Sequence, residues 1–187
     1  MEALVFGVVG CGFEPVSALQ EGDSGAPRIE RIARLIASAQ FGIHDLSRVG
    51  LDDRSGLPRF NMPFELGMDL GCRAFGSKAQ RRKKILILDS ERYRYQVFLS
   101  DIAGQDIRDH GNSISRLFKI VREFLGSRAH ARVTPGQRWL ETQFQAFTDA
   151  LPSLCERSGL ERQALAFPDF VRYATSWVAR ARKPDGA

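Results

Sequence analysis

The sequence predicts an α/β fold in three layers, with a short parallel sheet of four to five strands and a C-terminal helical extension. Apolar runs without alternation, such as residues 84–88, are typical of parallel strands that are covered on both faces. Amphipathic helical patterns separate these runs, and only helical patterns occur from Pro135 onwards. We therefore expect an α/β domain over residues 1–130 and a helical extension over residues 131–187.

Composition excludes several classes of protein. The 187 residues are 43% hydrophobic and 26% charged, which is ordinary for a globular chain. No apolar run approaches the ~20 residues that span a bilayer, so no membrane partner is expected. The three cysteines are widely separated and form no CxxC pair, so we predict neither a disulfide framework nor a metal site. A reduced, cytoplasmic protein without a cofactor fits best.

The net charge of +5 includes one basic cluster at residues 78–84. Nucleic acid is not favoured as a partner, because no aromatic residues that could stack on bases are interleaved with these charges. A solvated loop that leads into the next strand is the preferred interpretation.

Residues 4–10 form a short apolar run, which predicts a fully buried first strand. Gly10 and Gly12 would let the backbone turn sharply and approach a ligand, so Gly10, Cys11 and Gly12 are substrate-binding candidates. Without a third glycine they are not a dinucleotide fingerprint. Cys11 is either a reactive thiol or a small buried hydrophobe.

A helix over residues 27–36 and a second strand over residues 41–43 come next. This strand–helix–strand order predicts a right-handed parallel crossover. His44, Asp45 and Ser47 then follow at the carboxyl end of a strand, where open α/β sheets bind ligands. A turn cap at Asp45 and a packed strand residue at His44 are the alternatives.

Residues 61–71 predict a helix that begins at Pro63 and carries Glu65 in its first turn, where the helix dipole favours a carboxylate. Gly67 and Gly71 each cost roughly 1 kcal/mol inside a helix relative to alanine. This cost predicts that the sheet or a ligand approaches the same face closely. Asn61 stands just before this helix.

The remaining elements follow from their apolar patterns. Residues 84–89 predict a central strand that ends at Asp89, and residues 93–99 and 105–107 predict a short helix and an edge strand. A helix over residues 113–125 ends at Gly126. The helical extension is expected to pack on the sheet or on a second subunit.

A parallel sheet would bring the Gly10–Gly12 turn, the Asp45–Ser47 strand end and the start of the Glu65 helix to one edge. A carboxylate at such an edge can act as a nucleophile or stabilise a developing cation. Cleavage of an N-glycosidic bond needs such a group, because its transition state resembles an oxocarbenium ion.

These motifs resemble the nucleoside 2-deoxyribosyltransferase family. The resemblance covers residues 4–89 and rests on the strand end Ile43-His44-Asp45-Leu46-Ser47, the helix start Pro63-Phe64-Glu65-Leu66-Gly67 and the strand at residues 85–88. The chain is also similar, more distantly, to Toll/interleukin receptor (TIR) domains that hydrolyse NAD with a glutamate in the corresponding helix. The tyrosine that is typical of the transferase family near the first strand is not evident.

The resemblance implies a flavodoxin-like fold and a small-molecule nucleoside or nucleotide as the substrate. It implies that Glu65 is the nucleophile or cation stabiliser and that Asp45 contacts the sugar or the base. Further substrate-binding candidates along the same edge are His44, Ser47, Asn61 and Asp89.

Two other classes of function are open. One is a non-catalytic nucleotide-binding or self-associating module, similar to TIR domains that act by assembly. Its homo-oligomeric interface would use Trp139, Phe144 and Trp177 of the helical extension. The other is a flavodoxin-like electron carrier, although the sequence has no clear flavin signature.

Overall fold

The computed structural model describes residues 1–18, 20, 25, 27–52, 54, 56–126 and 134–182. Within this part of the chain the fold is mixed α/β, with six α-helices and one three-stranded parallel sheet. The helices are α1 (Glu2–Gly10), α2 (Arg28–Ser38), α3 (Asn61–Phe75), α4 (Ile114–Gly126), α5 (Gln137–Arg157) and α6 (Phe167–Ala181). The strands are β1 (Phe41–Asp45), β2 (Lys84–Asp89) and β3 (Arg108–Asp109). None of the helices described is both long and apolar enough to cross a bilayer.

The chain forms two compact units. Met1–Gln20 and Ser113–Ala187 make a helical unit with α1, α4, α5 and α6, and Glu21–Asn112 make a sheet unit with α2, α3 and the three strands. This grouping differs from the expected division at residue 130, because α1 and α4 pack with the C-terminal helices.

The predicted first strand at residues 4–10 is wrong: these residues form α1. A short apolar run fits a buried helix as well as a buried strand, and packing decides between them. A Cβ atom added at Gly7 would lie 3.1 Å from Phe118 Cδ1, and one at Gly10 would lie 2.4 Å from Leu140 Cδ2. The two glycines therefore let α4 and α5 approach α1 closely. The expected crossover between this segment and residues 41–43 is consequently also wrong.

Aromatic side chains fill the core of the helical unit. The ring of Phe6 lies 5.3 Å from Phe144 and 5.3 Å from Phe147, measured between centroids. Phe118 meets Phe144 edge-on at 5.6 Å. The Phe6–Phe147 pair is stacked, the Phe6–Phe144 pair is tilted and the Phe118–Phe144 pair is edge-to-face, and offset-stacked and edge-to-face arrangements are favourable for aromatic rings.

The aromatic residues expected at a subunit interface make contacts inside the helical unit. Phe144 belongs to the core, and the ring of Trp177 lies 5.8 Å from that of Phe147. The guanidinium of Arg182 lies 5.9 Å from the centroid of the Trp139 ring. All three side chains are half-buried, and a subunit interface at these residues stays a prediction.

The sheet has the order β1-β2-β3, and both neighbouring pairs are parallel. Phe41 is opposite Lys84 and Asp45 is opposite Leu88, so β1 and β2 end at the same edge. The helix that joins these strands is α3. The central strand at residues 84–89 is confirmed, whereas the edge strand expected at residues 105–107 lies at β3.

Helix α3 begins at Asn61, two residues before its expected start. Pro63 is still tolerated, because the first four N–H groups of a helix have no partner within the helix. Glu65 is consequently the fifth helical residue, and the expectation that it lies in the first turn is wrong. A Cβ atom at Gly67 or Gly71 would meet no atom within 4 Å, so the sheet does not approach these glycines closely, and the alternative of a ligand there stays a prediction.

A buried ion-pair cluster ties α3 to the sheet. Asp69 Oδ2 lies 2.9 Å from His44 Nε2, and Asp69 Oδ1 accepts a hydrogen bond of 2.7 Å from Lys83 Nζ. Lys83 Nζ also donates to the carbonyl of Ile36 in α2. Burial by itself would raise the pKa of Asp69, but the hydrogen bonds and charges of His44 and Lys83 lower it below its usual value. Asp69, His44 and Lys83 are all buried. Since His44 lies in β1 and Lys83 directly precedes β2, this cluster connects α2, α3 and the two strands.

Gly42 makes room for this cluster. A Cβ atom at residue 42 would lie 1.9 Å from Asp69 Oδ2, which is too close for any real contact. We predict that Gly42→Ala lowers the free energy of unfolding by about 2–4 kcal/mol, because it displaces a buried carboxylate from its partners. Urea denaturation at pH 7 measures this change.

Gly67→Ala is the matched control, since it adds the same methyl group in open space. It should raise the free energy of unfolding by about 0.5–1 kcal/mol, because alanine favours the helix. Equal effects of the two substitutions would contradict this account of Gly42.

Candidate functional site

Polar side chains from all three strands meet at the carboxyl edge of the sheet. Asp45 is the last residue of β1, Asp89 is the last of β2, and His110 directly follows β3. Asp45 is opposite Leu88, and the backbone N–H of His110 donates to the carbonyl of Asp89 at 2.9 Å. This edge is where open α/β sheets bind their ligands.

Asp45 lies where the sequence places it, and the structure holds it in the carboxylate form. Its Oδ1 accepts a 2.9 Å hydrogen bond from the backbone N–H of Ser47 and lies 3.4 Å from His110 Nε2. Burial by itself raises the pKa of Asp45. The hydroxyl and N–H of Ser47, together with His110, outweigh that effect and lower the pKa below its usual value of 3.8. Asp45 is therefore an anion at neutral pH. Its hydrogen bond from the Ser47 N–H caps the following turn, which is the alternative role predicted for it.

His110 is a site residue that the sequence analysis missed. Its Nδ1 accepts a 3.1 Å hydrogen bond from the backbone N–H of Asn112, so Nε2 carries the proton that points to Asp45. Gly111 and Asn112 both have a positive φ, of 55° and 54°, and this left-handed turn brings the Asn112 N–H back to the ring. Because β2 lies between β1 and β3, the imidazole reaches across the end of the central strand.

Asp89 and Arg94 form a second pair at this edge. Asp89 is fully buried, and its Oδ1 accepts hydrogen bonds from Arg94 Nε at 2.9 Å and Nη2 at 2.6 Å. Arg94 Nη2 also donates to the carbonyl of Leu46 at 2.6 Å, which links the ends of β1 and β2. Asp89 Oδ2 is buried and has no hydrogen-bond partner among the residues described. Arg94 belongs to the short helix expected over residues 93–99, which is a 3₁₀ helix at Arg94–Val97.

Glu65 is half-buried, and no hydrogen bond or ion pair joins it to another described residue. It precedes Asp69 by four residues, so both lie on the same side of α3 and are about 6 Å apart along the helix axis. The next residue, Leu66, packs with Leu46 and Val49, which follow the carboxyl end of β1. The turn of α3 that carries Glu65 therefore packs, through Leu66, against the residues that follow the carboxyl end of β1.

The other predicted residues are distributed unevenly. Ser47 belongs to the edge through its bond to Asp45, and Asn61 is the exposed first residue of α3. His44 lies in the buried cluster with Asp69, as the alternative of a packed strand residue expects. Its Nδ1 is buried and has no hydrogen-bond partner within the described part of the chain.

Gly10, Cys11 and Gly12 lie at the end of α1 in the helical unit, and the expectation that they follow a strand of the sheet is wrong. Burial raises the pKa of the Cys11 thiol to about 11, although Arg182 and Arg122 oppose the shift. The thiol is therefore protonated at neutral pH, which fits a buried hydrophobe and not a reactive group.

Within the residues described, no group of three or more His, Cys, Asp or Glu side chains is arranged to hold a metal ion. Comparisons with protein-family models, with curated proteins and with solved structures find no match to this chain.

The lowered pKa of Asp45 gives a pH-dependent prediction. A carboxylate whose pKa is lower in the folded state stabilises the protein above its unfolded pKa, and the effect is lost as the pH falls through the folded value. We expect Asp45→Asn to lower the free energy of unfolding by about 1 kcal/mol at pH 7. This difference in the free energy of unfolding should become smaller as the pH falls below 3.8, which is the usual pKa of an aspartate.

Urea denaturation at pH 7 and at pH 3 measures both differences. Asp101→Asn, at an exposed position of the same unit, is the control and should change the free energy of unfolding by less than about 0.5 kcal/mol at either pH. A loss at Asp45 that is equally large at both pH values would contradict the ionised form of this residue.

Proposed function

We propose that the sheet unit binds a nucleoside or nucleotide at its carboxyl edge and cleaves or transfers at the N-glycosidic bond. The observation that supports this most is Asp45, an ionised carboxylate at a strand end that Ser47 and His110 hold in place. The resemblance to nucleoside 2-deoxyribosyltransferases and TIR domains assigns this chemistry to the same segment. In this proposal the sheet unit is a short member of the flavodoxin-like folds.

Glu65 is the nucleophile of the proposed reaction. Its carboxylate attacks the anomeric carbon while the bond from that carbon to the base nitrogen breaks, and the base leaves with the electron pair. A purine or pyrimidine that leaves as an anion takes a proton from water, whereas the nicotinamide of NAD leaves as a neutral molecule. Water or an acceptor base then releases the sugar from the glycosyl ester. A half-buried carboxylate that has no hydrogen-bond or ion-pair partner among the described residues is available to make this bond.

Asp45 has a binding role in this scheme. Its Oδ1 accepts the hydrogen bond from the Ser47 N–H and faces His110, so the oxygen considered for a ligand is Oδ2. That oxygen is able to accept a hydrogen bond from a sugar hydroxyl, and such bonds strengthen as positive charge develops on the ring. The proton on His110 Nε2 keeps Asp45 oriented for this contact.

We expect purified protein to release free base from NAD or from a member of a panel of nucleosides and nucleotides. Glu65→Gln should lower the rate by at least about a thousandfold, since it removes the nucleophile, and Asp45→Asn by about 10–100-fold. Chromatography of the released base measures both effects. Glu30→Gln, at an exposed position on α2, is the matched control and should leave the rate unchanged.

Full activity of Glu65→Gln would contradict the role of Glu65. Binding of a nucleotide without release of base from any substrate would favour the alternative, a non-catalytic nucleotide-binding or self-associating module. Light scattering over a range of concentrations then distinguishes a self-associating module from a monomeric one.

A further inference from the structure

A cleft of about 400 Å³ lies next to Asp45 in the sheet unit. It is formed by the chain between β1 and α3. The polar side chains that line it are Ser47, Arg48, Asp52, Arg54 and Arg59. Its volume lies within the range of sites that bind small molecules.

The loop behind this cleft has a defined backbone. Leu51 and Pro58 form an antiparallel bridge, and the N–H of Asp52 donates to the carbonyl of Leu57 at 2.9 Å. The N–H of Gly56 donates back to the carbonyl of Asp52 at 2.8 Å, with a φ of 66° that favours glycine. This hydrogen-bonded turn fixes the position of Asp52 at the wall of the cleft.

Asp52 organises the charges of the cleft. Its Oδ2 accepts a 3.1 Å hydrogen bond from Arg59 Nη2, and its Oδ1 accepts one of 3.2 Å from the backbone N–H of Arg54. The guanidinium groups of Arg48 and Arg54 have no hydrogen-bond or ion-pair partner among the described residues. Among the described residues of the cleft, Asp52 pairs with the guanidinium of Arg59, and those of Arg48 and Arg54 have no carboxylate partner.

Unpaired guanidinium groups in a small cleft suit a phosphate. The planar guanidinium donates two parallel hydrogen bonds to phosphate oxygens, and these charge-assisted bonds are stronger than neutral ones. Ser47 lines the cleft and also donates to Asp45, so the cleft adjoins the proposed sugar site. A nucleotide has the matching order of groups, with its phosphate attached to the sugar.

We propose that the cleft at Arg48 and Arg54 binds the phosphate of a nucleotide, so that the substrate is a phosphorylated nucleoside or a dinucleotide. The choice of substrate rests on the proposed function, whereas the binding of a phosphate by the two arginines does not. This difference lets an experiment separate the two claims.

The test uses isothermal titration calorimetry of the full chain with inorganic pyrophosphate, AMP and adenosine. We expect AMP and pyrophosphate to bind, with AMP binding at least tenfold more tightly than adenosine. Arg48→Ala/Arg54→Ala should lower the affinity for both AMP and pyrophosphate by about tenfold for each arginine removed. A higher salt concentration should lower the affinity for both anions further, because Arg48 and Arg54 are exposed and their charges are screened.

Arg28→Ala/Arg82→Ala is the matched control, since it removes the same two charges from exposed positions of the sheet unit that do not line the cleft. It should leave both affinities within about twofold of the original values. An equal loss in the two double variants would overturn the proposal, because net charge alone would then explain binding. Equal affinity for AMP and adenosine, or no binding of either anion, would also overturn it.

Activity separates this proposal from the proposed function. If Glu65→Gln binds pyrophosphate normally and no substrate loses its base, the phosphate site stands and the glycosidic chemistry fails. If base is released equally fast from adenosine and AMP, and the arginine substitutions change neither rate, the glycosidic chemistry stands and the phosphate site fails.

Discussion

The buried carboxylate of Asp69 is the contact on which the sheet unit depends. It binds His44 in β1 with one oxygen and Lys83 with the other, and Lys83 continues to the carbonyl of Ile36 in α2. Removing three ionisable groups from water costs several kcal/mol, and the close hydrogen bonds and opposite charges within the cluster offset that cost. Such a cluster therefore specifies one arrangement of α2, α3 and the sheet more than it adds to the stability.

This arrangement also determines which polar groups lie at the carboxyl edge of the sheet. With Asp69 held at the sheet, the turn of α3 that bears Glu65 lies beside Leu46 and Val49, just past the end of β1. Arg94 joins the ends of β1 and β2, and His110 reaches over β2 to Asp45. The polar groups of the edge are thus tied to one another before any ligand binds, which is what a preorganised site requires.

Local patterns predicted the elements that have one clear periodicity. Helix α2 and the C-terminal helices follow from such patterns. The apolar run of β2 was correctly predicted as a strand although it does not alternate, and Asp45 lies at a strand end as expected. Helix α1 was mistaken for a strand, because an all-apolar run has no periodicity and its partners, α4 and α5, come more than a hundred residues later in the chain. The residues described form three strands where four to five were expected, and the segment that became α1 accounts for one strand of the difference.

The site was harder to predict than the fold. His110 was missed because the strand before it has only two residues, and Asp69 because an acidic residue on a helix is normally exposed. The available signals were the small number of histidines and the Gly-Asn pair at residues 111–112, which permits a left-handed turn. Neither signal reveals its meaning until the parallel sheet brings residues 45 and 110 together.

The most direct test of a ligand site at the carboxyl edge is an NMR titration of ¹⁵N-labelled protein with AMP. Our account predicts chemical-shift changes at Ser47, Arg48 and His110, with little change at Ser77 and Lys84, near the amino end of β2. Changes confined to the amino end, or no changes at saturating AMP, would contradict it.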